Sequence, residues 1–209
     1  MYLPDHFNQQ DADEIAAYMH AFPLATVITM VDGQMWPTQI PLFLQGDVLI
    51  GHVARANQMW KHDGTTDVLV VFGGADTYIT PNWYETKRLT HEVVPTWNYA
   101  SVNIWGELTL HDDAKWKRMA VGKLTTIHER TNAEPWKMGD APQEYLESQL
   151  GHIIGIEISI NRLEAKWKLN QNRTLADREG VIAGLSNRGS QPDATIAEMM
   201  RTTITPDAE

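Results

Sequence analysis

The chain has 209 residues, 43% hydrophobic and 21% charged, with a formal net charge of -10. That is enough chain for one domain with a full core, and it leaves little room for a second catalytic domain. No run of about 18 uncharged apolar residues is present to span a bilayer, and the lack of cysteine excludes disulfides, thiolate nucleophiles and cysteine-ligated zinc or iron–sulfur centres.

The opening Met1-Tyr2-Leu3-Pro4-Asp5-His6 has neither a basic nor an apolar leader region, so a cytoplasmic location is expected. Asp11 with Glu14 forms a capping-box pattern, and Ile15, Tyr18, Met19 and Phe22 recur at helical spacing until Pro23. Residues 24–31 and 34–44 read as two strands joined by a hairpin turn at Asp32-Gly33, and Gly46-Asp47 marks the next turn. Strands continue over 48–53 and 67–80, where Gly73-Gly74 suggests a bulge or a close backbone approach. Thr96 to Leu110 and Ile153 to Lys168 are the last long strands. Between them Asp112 opens a helix whose Trp116, Met119, Ala120, Leu124 and Ile127 share one face. Thr174 is a good N-cap, with Asp177 as a second capping residue. Gly189-Ser190-Gln191-Pro192 reads as a break before a short helix over 194–200, and residues 205–209 read as frayed. Adjoining strands without regular helical crossovers favour an antiparallel barrel with peripheral helices over a doubly wound sheet.

Several site classes have no support. There is no Gly-x-Gly-x-x-Gly, no P-loop and no Gly-x-Ser-x-Gly elbow. The eight histidines (His6, His20, His52, His62, His91, His111, His128 and His152) contain no zinc-binding spacing, so no metal site is expected. The acidic balance opposes broad attraction to DNA phosphates. The best basic stretch carries Lys115, Lys117, Arg118, Lys123, Arg130 and Lys137, and it reads first as a solvated helix face.

Three stretches combine a cation or amide with an aromatic, which suits a phosphate joined to a flat ring: residues 51–60, 78–87 and 95–99. With the opening Met1-Tyr2-Leu3-Pro4-Asp5-His6-Phe7, the blocks Gly51-His52-Val53-Ala54-Arg55-Ala56-Asn57 with Trp60, Tyr78-Ile79-Thr80-Pro81-Asn82-Trp83-Tyr84 with Lys87, Val94-Pro95-Thr96-Trp97-Asn98-Tyr99 and Lys168-Leu169-Asn170-Gln171-Asn172-Arg173 run in order along the chain. In this the sequence resembles the PaiB-type transcriptional regulators. It departs from the commonest family pattern at Gln58 and Met59, where Pro and His are often found, and at Thr80 and Asn82, where serines are often found.

The resemblance implies a flavin mononucleotide (FMN)-binding split β-barrel, similar to the pyridoxamine-phosphate oxidase group and usually a homodimer. It also implies negative regulation of protease synthesis and sporulation. On this reading residues 1–173 form the FMN-binding split barrel with inserted helices, and 174–209 are a helical extension of the same domain. Within the blocks, Arg55, Lys87 and Arg173 are candidates for the phosphate. Asn57, Asn98, Asn170 and Gln171, with the hydroxyls of Thr80 and Thr96, suit the ribityl chain or the polar ring edge. Trp60, Trp83 and Trp97 suit the walls of the ring. His52 is read as a phosphate-orienting group, a proton donor, a heme ligand or a core histidine.

Two function classes stay open from the sequence: an FMN-binding regulator that contacts DNA or a protein partner, and an FMN-dependent oxidoreductase or heme-handling relative. No acid–base pair marks a catalytic step.

Overall fold

A computed structural model describes residues 1–61 and 66–204. His62 and the stretch 205–209 discussed above lie outside the described residues. In chain order the elements are β1 (Asn8–Gln9), α1 (Ala12–Ala21), β2 (Leu24–Val31), β3 (Gln34–Pro41), β4 (Phe43–Gln45), β5 (Val48–Ala54), β6 (Asp67–Ile79), α2 (Glu85–Leu89), β7 (Thr96–His111), α3 (Ala114–Glu129), α4 (Gln143–Gly151), β8 (Ile153–Lys168), α5 (Leu175–Arg188) and α6 (Gln191–Thr202). The strand order is β3-β2-β6-β7-β8-β5-β4, with β1 also on β8. The chain divides into two compact units, one of Met1–Asp11, Gly73–Val102 and Glu164–Glu209, the other of Ala12–Phe72 and Asn103–Leu163. Strands β6, β7 and β8 each contribute residues to both.

The unit of Ala12–Phe72 and Asn103–Leu163 starts from the β2–β3 hairpin, paired from Val31↔Gln34 to Leu24↔Pro41. Asp32 and Gly33 both have positive φ, 50° and 71°, which matches the twist of the flanking strands in a two-residue turn. The sequence suggests one strand through Leu44, but it divides after Pro41: the Leu42 N–H donates to the Pro23 carbonyl at 2.9 Å, and Phe43–Gln45 pair instead with Val48–Ile50. At this corner Gly51 lets β5 approach the other edge. A Cβ there would sit 2.6 Å from the Leu42 side chain and 2.9 Å from the Pro41 carbonyl oxygen. The α3 face expected from sequence is the one buried: Ala120 and Leu124 pack on Phe43 and Ile50, flanked by Trp116, Met119 and Ile127. Helix α4 was not anticipated; its single buried residue, Leu150, gives it a weak apolar signature.

In the unit of Met1–Asp11, Gly73–Val102 and Glu164–Glu209, β1 pairs with β8 at Asn8↔Lys166 and Gln9↔Ala165. The Thr174 side chain caps α5 by accepting from the Asp177 N–H at 3.2 Å, and the helix ends at left-handed Gly189. Helix α6 starts three residues before the expected 194, because Pro192 lies in its first turn rather than in a break. A proline there lacks only an N–H that would have no helical partner. Val181, Gly184 and Leu185 of α5 and Ile196, Ala197 and Met200 of α6 are buried at helical spacing, and the two helices pack together.

Candidate functional site

The first block turns off the end of β5 and closes on itself. The Arg55 N–H donates to the His152 carbonyl at 2.8 Å, Trp60 Nε1 donates to the Arg55 carbonyl at 2.9 Å, and Asn57 Oδ1 accepts the Met59 N–H at 2.9 Å. The Arg55 guanidinium grips Asp112 through Nη1 at 2.9 Å and through Nη2, while its Nε donates to the Gly151 carbonyl at 2.8 Å. The buried Lys117 donates to the same carboxylate at 2.9 Å. Hydrogen bonds from Arg55 and Lys117 hold the Asp112 carboxyl well below the usual carboxylate range. An arginine clamped in this way positions the loop; a phosphate there would have to displace Asp112. His52, opposite Gly155 in the β5–β8 ladder, has a buried Nδ1 with no hydrogen-bond partner, and burial lowers its pKa. Lys117 is turned inward, so the basic stretch offers one cation fewer than the sequence suggests.

The other blocks meet in the second-described unit. Thr80 Oγ1 caps the turn Pro81–Trp83 by accepting from the Asn82 N–H at 3.3 Å, and Lys87 Nζ donates to Asn82 Oδ1. Trp83 is a packing residue: a Cβ on Gly184 would lie 2.3 Å from its indole, and the Arg188 guanidinium stands over its ring at 4.9 Å. Tyr84 is buried, its hydroxyl accepts from Asn170 Nδ2 at 2.8 Å, and Arg173 lies over its ring at 5.0 Å. Burial raises the Tyr84 pKa despite that hydrogen bond. Asn170 takes a left-handed φ of 63°, and Gln171 closes the turn with Oε1 on the Leu169 N–H at 2.8 Å and Nε2 on the Trp167 carbonyl at 2.7 Å. Asn170 and Gln171 thus have local partners.

On β7, Thr96 Oγ1 and the Trp97 carbonyl both accept from Lys168 Nζ. Trp97 is 53% exposed and meets Tyr78 edge-on at 6.1 Å. Asn98 is fully buried, with Nδ2 3.4 Å from Met200 Sδ and Oδ1 without a partner.

The donor chemistry fits a flavin nucleotide. Among the described residues Lys87, Lys166, Lys168 and Arg173 have no carboxylate in ion-pair range, Asn98 has an unused buried acceptor, and Trp97 offers an exposed flat face. Lys166 and Lys168 were not singled out as ligands from sequence, though their i, i+2 spacing at a strand end puts both on one face.

A sequence profile of the family described as "Putative FMN-binding domain" matches residues 1–162. The chain belongs to this family. FMN is the cofactor of its domain class. The chain is 32% identical to the protease synthase and sporulation protein PAI 2 of Bacillus subtilis, over 96% of each chain. It is 33% identical to an uncharacterized protein of Emericella nidulans, over 86% of this chain and 88% of the other. Among solved structures, the FAD and heme binding protein from Mycobacterium smegmatis superposes with a TM-score of 0.60 at 16% identity, covering 85% of this chain and 80% of the other. The flavocytochrome Anf3 from Azotobacter vinelandii does so with a TM-score of 0.59 at 18% identity, covering 80% and 70%. These likenesses establish the fold, a split barrel of mostly antiparallel strands with peripheral helices. Among the described residues no helix is long and apolar enough to cross a membrane.

Proposed function

We propose that this chain is an FMN-binding regulatory protein, a cytoplasmic homodimer in which flavin occupancy or redox state controls contact with DNA or a protein partner. The 32% identity to PAI 2 over nearly the whole length of both chains supports the regulatory part. The observation that carries it structurally is the tie between the C-terminal helices and the Thr77–Thr86 segment. Asp177 of α5 holds Thr86, and Arg188 of α5 and Asp193 of α6 hold Thr77. A ligand that shifts this segment shifts two helices with it, which is what a coupling element needs.

The proposed cofactor contacts centre on Thr96 and Trp97, with the phosphate drawing on the cations free of carboxylates, while Asn98 points to the opposite, buried face of β7 against Met200. Bound FMN supplies reversible one- and two-electron chemistry at its ring. The protein's part is to bind the phosphate, wall the ring and satisfy its polar edge. Thr80, Trp83, Asn170 and Gln171 shape the loops that carry those contacts, as His52, Asn57 and Trp60 do around Arg55.

The test is the visible spectrum of the purified protein after incubation with excess FMN and removal of the free flavin, followed by selection from a random-sequence duplex DNA pool with and without dithionite. Retained flavin bands and redox-dependent enrichment of a DNA sequence are the expected results. Flavin retention with NAD(P)H consumption and no DNA enrichment would replace the regulatory reading with an oxidoreductase.

A further inference from the structure

Helices α1 and α3 end in the same pattern. Ala16, Met19 and His20 on one, and Leu124, Ile127 and His128 on the other, stand at i, i+3 and i+4, so each helix brings two apolar side chains and a histidine of its last turn to one face. Between these faces is a cavity of about 170 Å³, and the strand break after Pro41 supplies its third wall through Leu42, Phe43 and Leu44. The whole cavity belongs to the unit of Ala12–Phe72 and Asn103–Leu163, and none of the residues lining it is a proposed cofactor contact.

The cavity has an apolar floor and a polar mouth. Met19, Leu42, Phe43 and Leu124 are buried, whereas His20 and His128 are exposed. Apart from the two histidines every lining side chain is apolar. A buried water needs roughly two to four polar partners, so the floor suits a hydrocarbon group instead. An apolar cavity of about 150 Å³ is enough to hold benzene, which sets the size of that group. Phe43 and the Met19 thioether favour an aromatic ring over an aliphatic body of the same volume.

The mouth is basic. Arg130 Nη2 donates to His20 Nε2, so this guanidinium is matched to an imidazole, and it has no carboxylate in ion-pair range among the described residues. The adjoining acid, Glu129, is occupied by Asn132 Nδ2 at 2.8 Å and the Trp136 N–H at 2.9 Å. A carboxylate at the mouth would give Arg130 the two-oxygen acceptor that its planar fork matches, which a ring nitrogen does not.

We propose that the cavity between α1, β4 and α3 is a binding site for a small aromatic carboxylic acid of about benzoate size, separate from the flavin site. The ring enters between Met19, Phe43 and Leu124, and the carboxylate stays at the rim with Arg130 and His20. Ring burial supplies affinity, and the cation selects the acid over its neutral analogues.

The experiment is calorimetric titration of the full chain with benzoate and, separately, with benzamide, its neutral isostere. Two variants accompany the wild type. Ala16→Leu fills the cavity from α1 with a strong helix former, and its melting temperature should be at or above that of the wild type. Arg130→Gln changes only an exposed side chain, so it keeps the test open if Ala16→Leu proves overpacked. The wild type is expected to bind benzoate with a millimolar or tighter dissociation constant and benzamide ~10-fold or more weakly than that. Ala16→Leu should weaken both ligands ~10-fold or more, and Arg130→Gln should weaken benzoate alone. Flavin retention should be the same in all three proteins. Absence of saturable benzoate binding by the wild type overturns the site, as does benzoate binding that a folded Ala16→Leu variant leaves unchanged. Equal affinity for benzoate and benzamide overturns the assignment of an acid.

Discussion

The Asp177 carboxylate accepts both the backbone N–H and the hydroxyl of Thr86, each at 2.8 Å, so a buried acid in the first turn of α5 also caps α2. One side chain thereby fixes the start of the C-terminal helices to the end of the second signature block. Asp177→Ala is expected to lower stability by ~1–3 kcal/mol, since it leaves buried donors without an acceptor. Thr86→Val, which loses only the hydroxyl contact, should cost about 0.5–1.5 kcal/mol. Urea unfolding of the two variants gives the comparison, and equal effects would show that the backbone bond contributes nothing.

The Arg188–Asp193 pair predicts a pH dependence. Asp193 is 1% exposed and is held by Arg188, Thr77 and Ser190, with the Arg188 hydrogen bond the largest cause of a carboxyl pKa well below the usual range. A depressed pKa in the folded state adds stability that is present above the unfolded value, about 3.9, and is lost as pH falls toward the folded one. The Asp193 contribution should therefore be constant between neutral pH and about 5 and decline below about 4. Asp193→Asn should flatten that acid limb in chemical denaturation, and Arg188→Ala should cost ~1.5–3 kcal/mol at neutral pH.

Gly184 and Gly180 stand one turn apart on α5, where a Cβ would lie 2.3 Å from the Trp83 indole and 2.1 Å from the Trp83 carbonyl oxygen. Alanine usually favours a helix over glycine by about 1 kcal/mol. Here the contact should win. Gly184→Ala is expected to destabilise by ~1–3 kcal/mol, because the indole has to move out of a packed position. A rise in melting temperature would show that Trp83 does not sit in this groove in solution.

Arg55 gives a contrast in ligand binding. Its guanidinium is already engaged by Asp112 and by the carbonyls of Gly151 and Ile153. Arg55→Ala should leave the FMN dissociation constant within about 2-fold while Lys166→Ala with Lys168→Ala raises it, as expected for a loop-positioning residue against direct charge partners. A loss of ~10-fold or more in Arg55→Ala alone would make Arg55 a phosphate ligand that exchanges Asp112 for the cofactor.

Most of the strands, α1, α3 and the start of α5 were legible in the sequence because each rests on a local signal. The positive-φ pair Asp32-Gly33, the apolar spacing of α3 and the Thr174 cap are local signals of this kind. The split at Pro41 was not legible, since Leu42 is as apolar as its neighbours and changes partner only because the Pro23 carbonyl lies beside it. The site blocks were legible as a set through residue type and order. Their roles were not. Arg55 and Lys87 look alike as cations, yet only the fold brings Asp112, 57 residues away, against Arg55. Asn170 and Gln171 look like ligand amides until the chain returns them to Tyr84, Leu169 and Trp167.

The sequence by itself determined the absence of thiol chemistry, the β-rich pattern and the family, since composition, periodicity and block order need no third dimension. Only the tertiary structure decided which polar groups are already satisfied. Hydrogen-bond and ion partners here are separated by tens to more than a hundred residues, as Lys166 is from Tyr2 and Thr77 from Asp193. A side chain's remaining capacity to bind something else depends on what the folded chain leaves beside it.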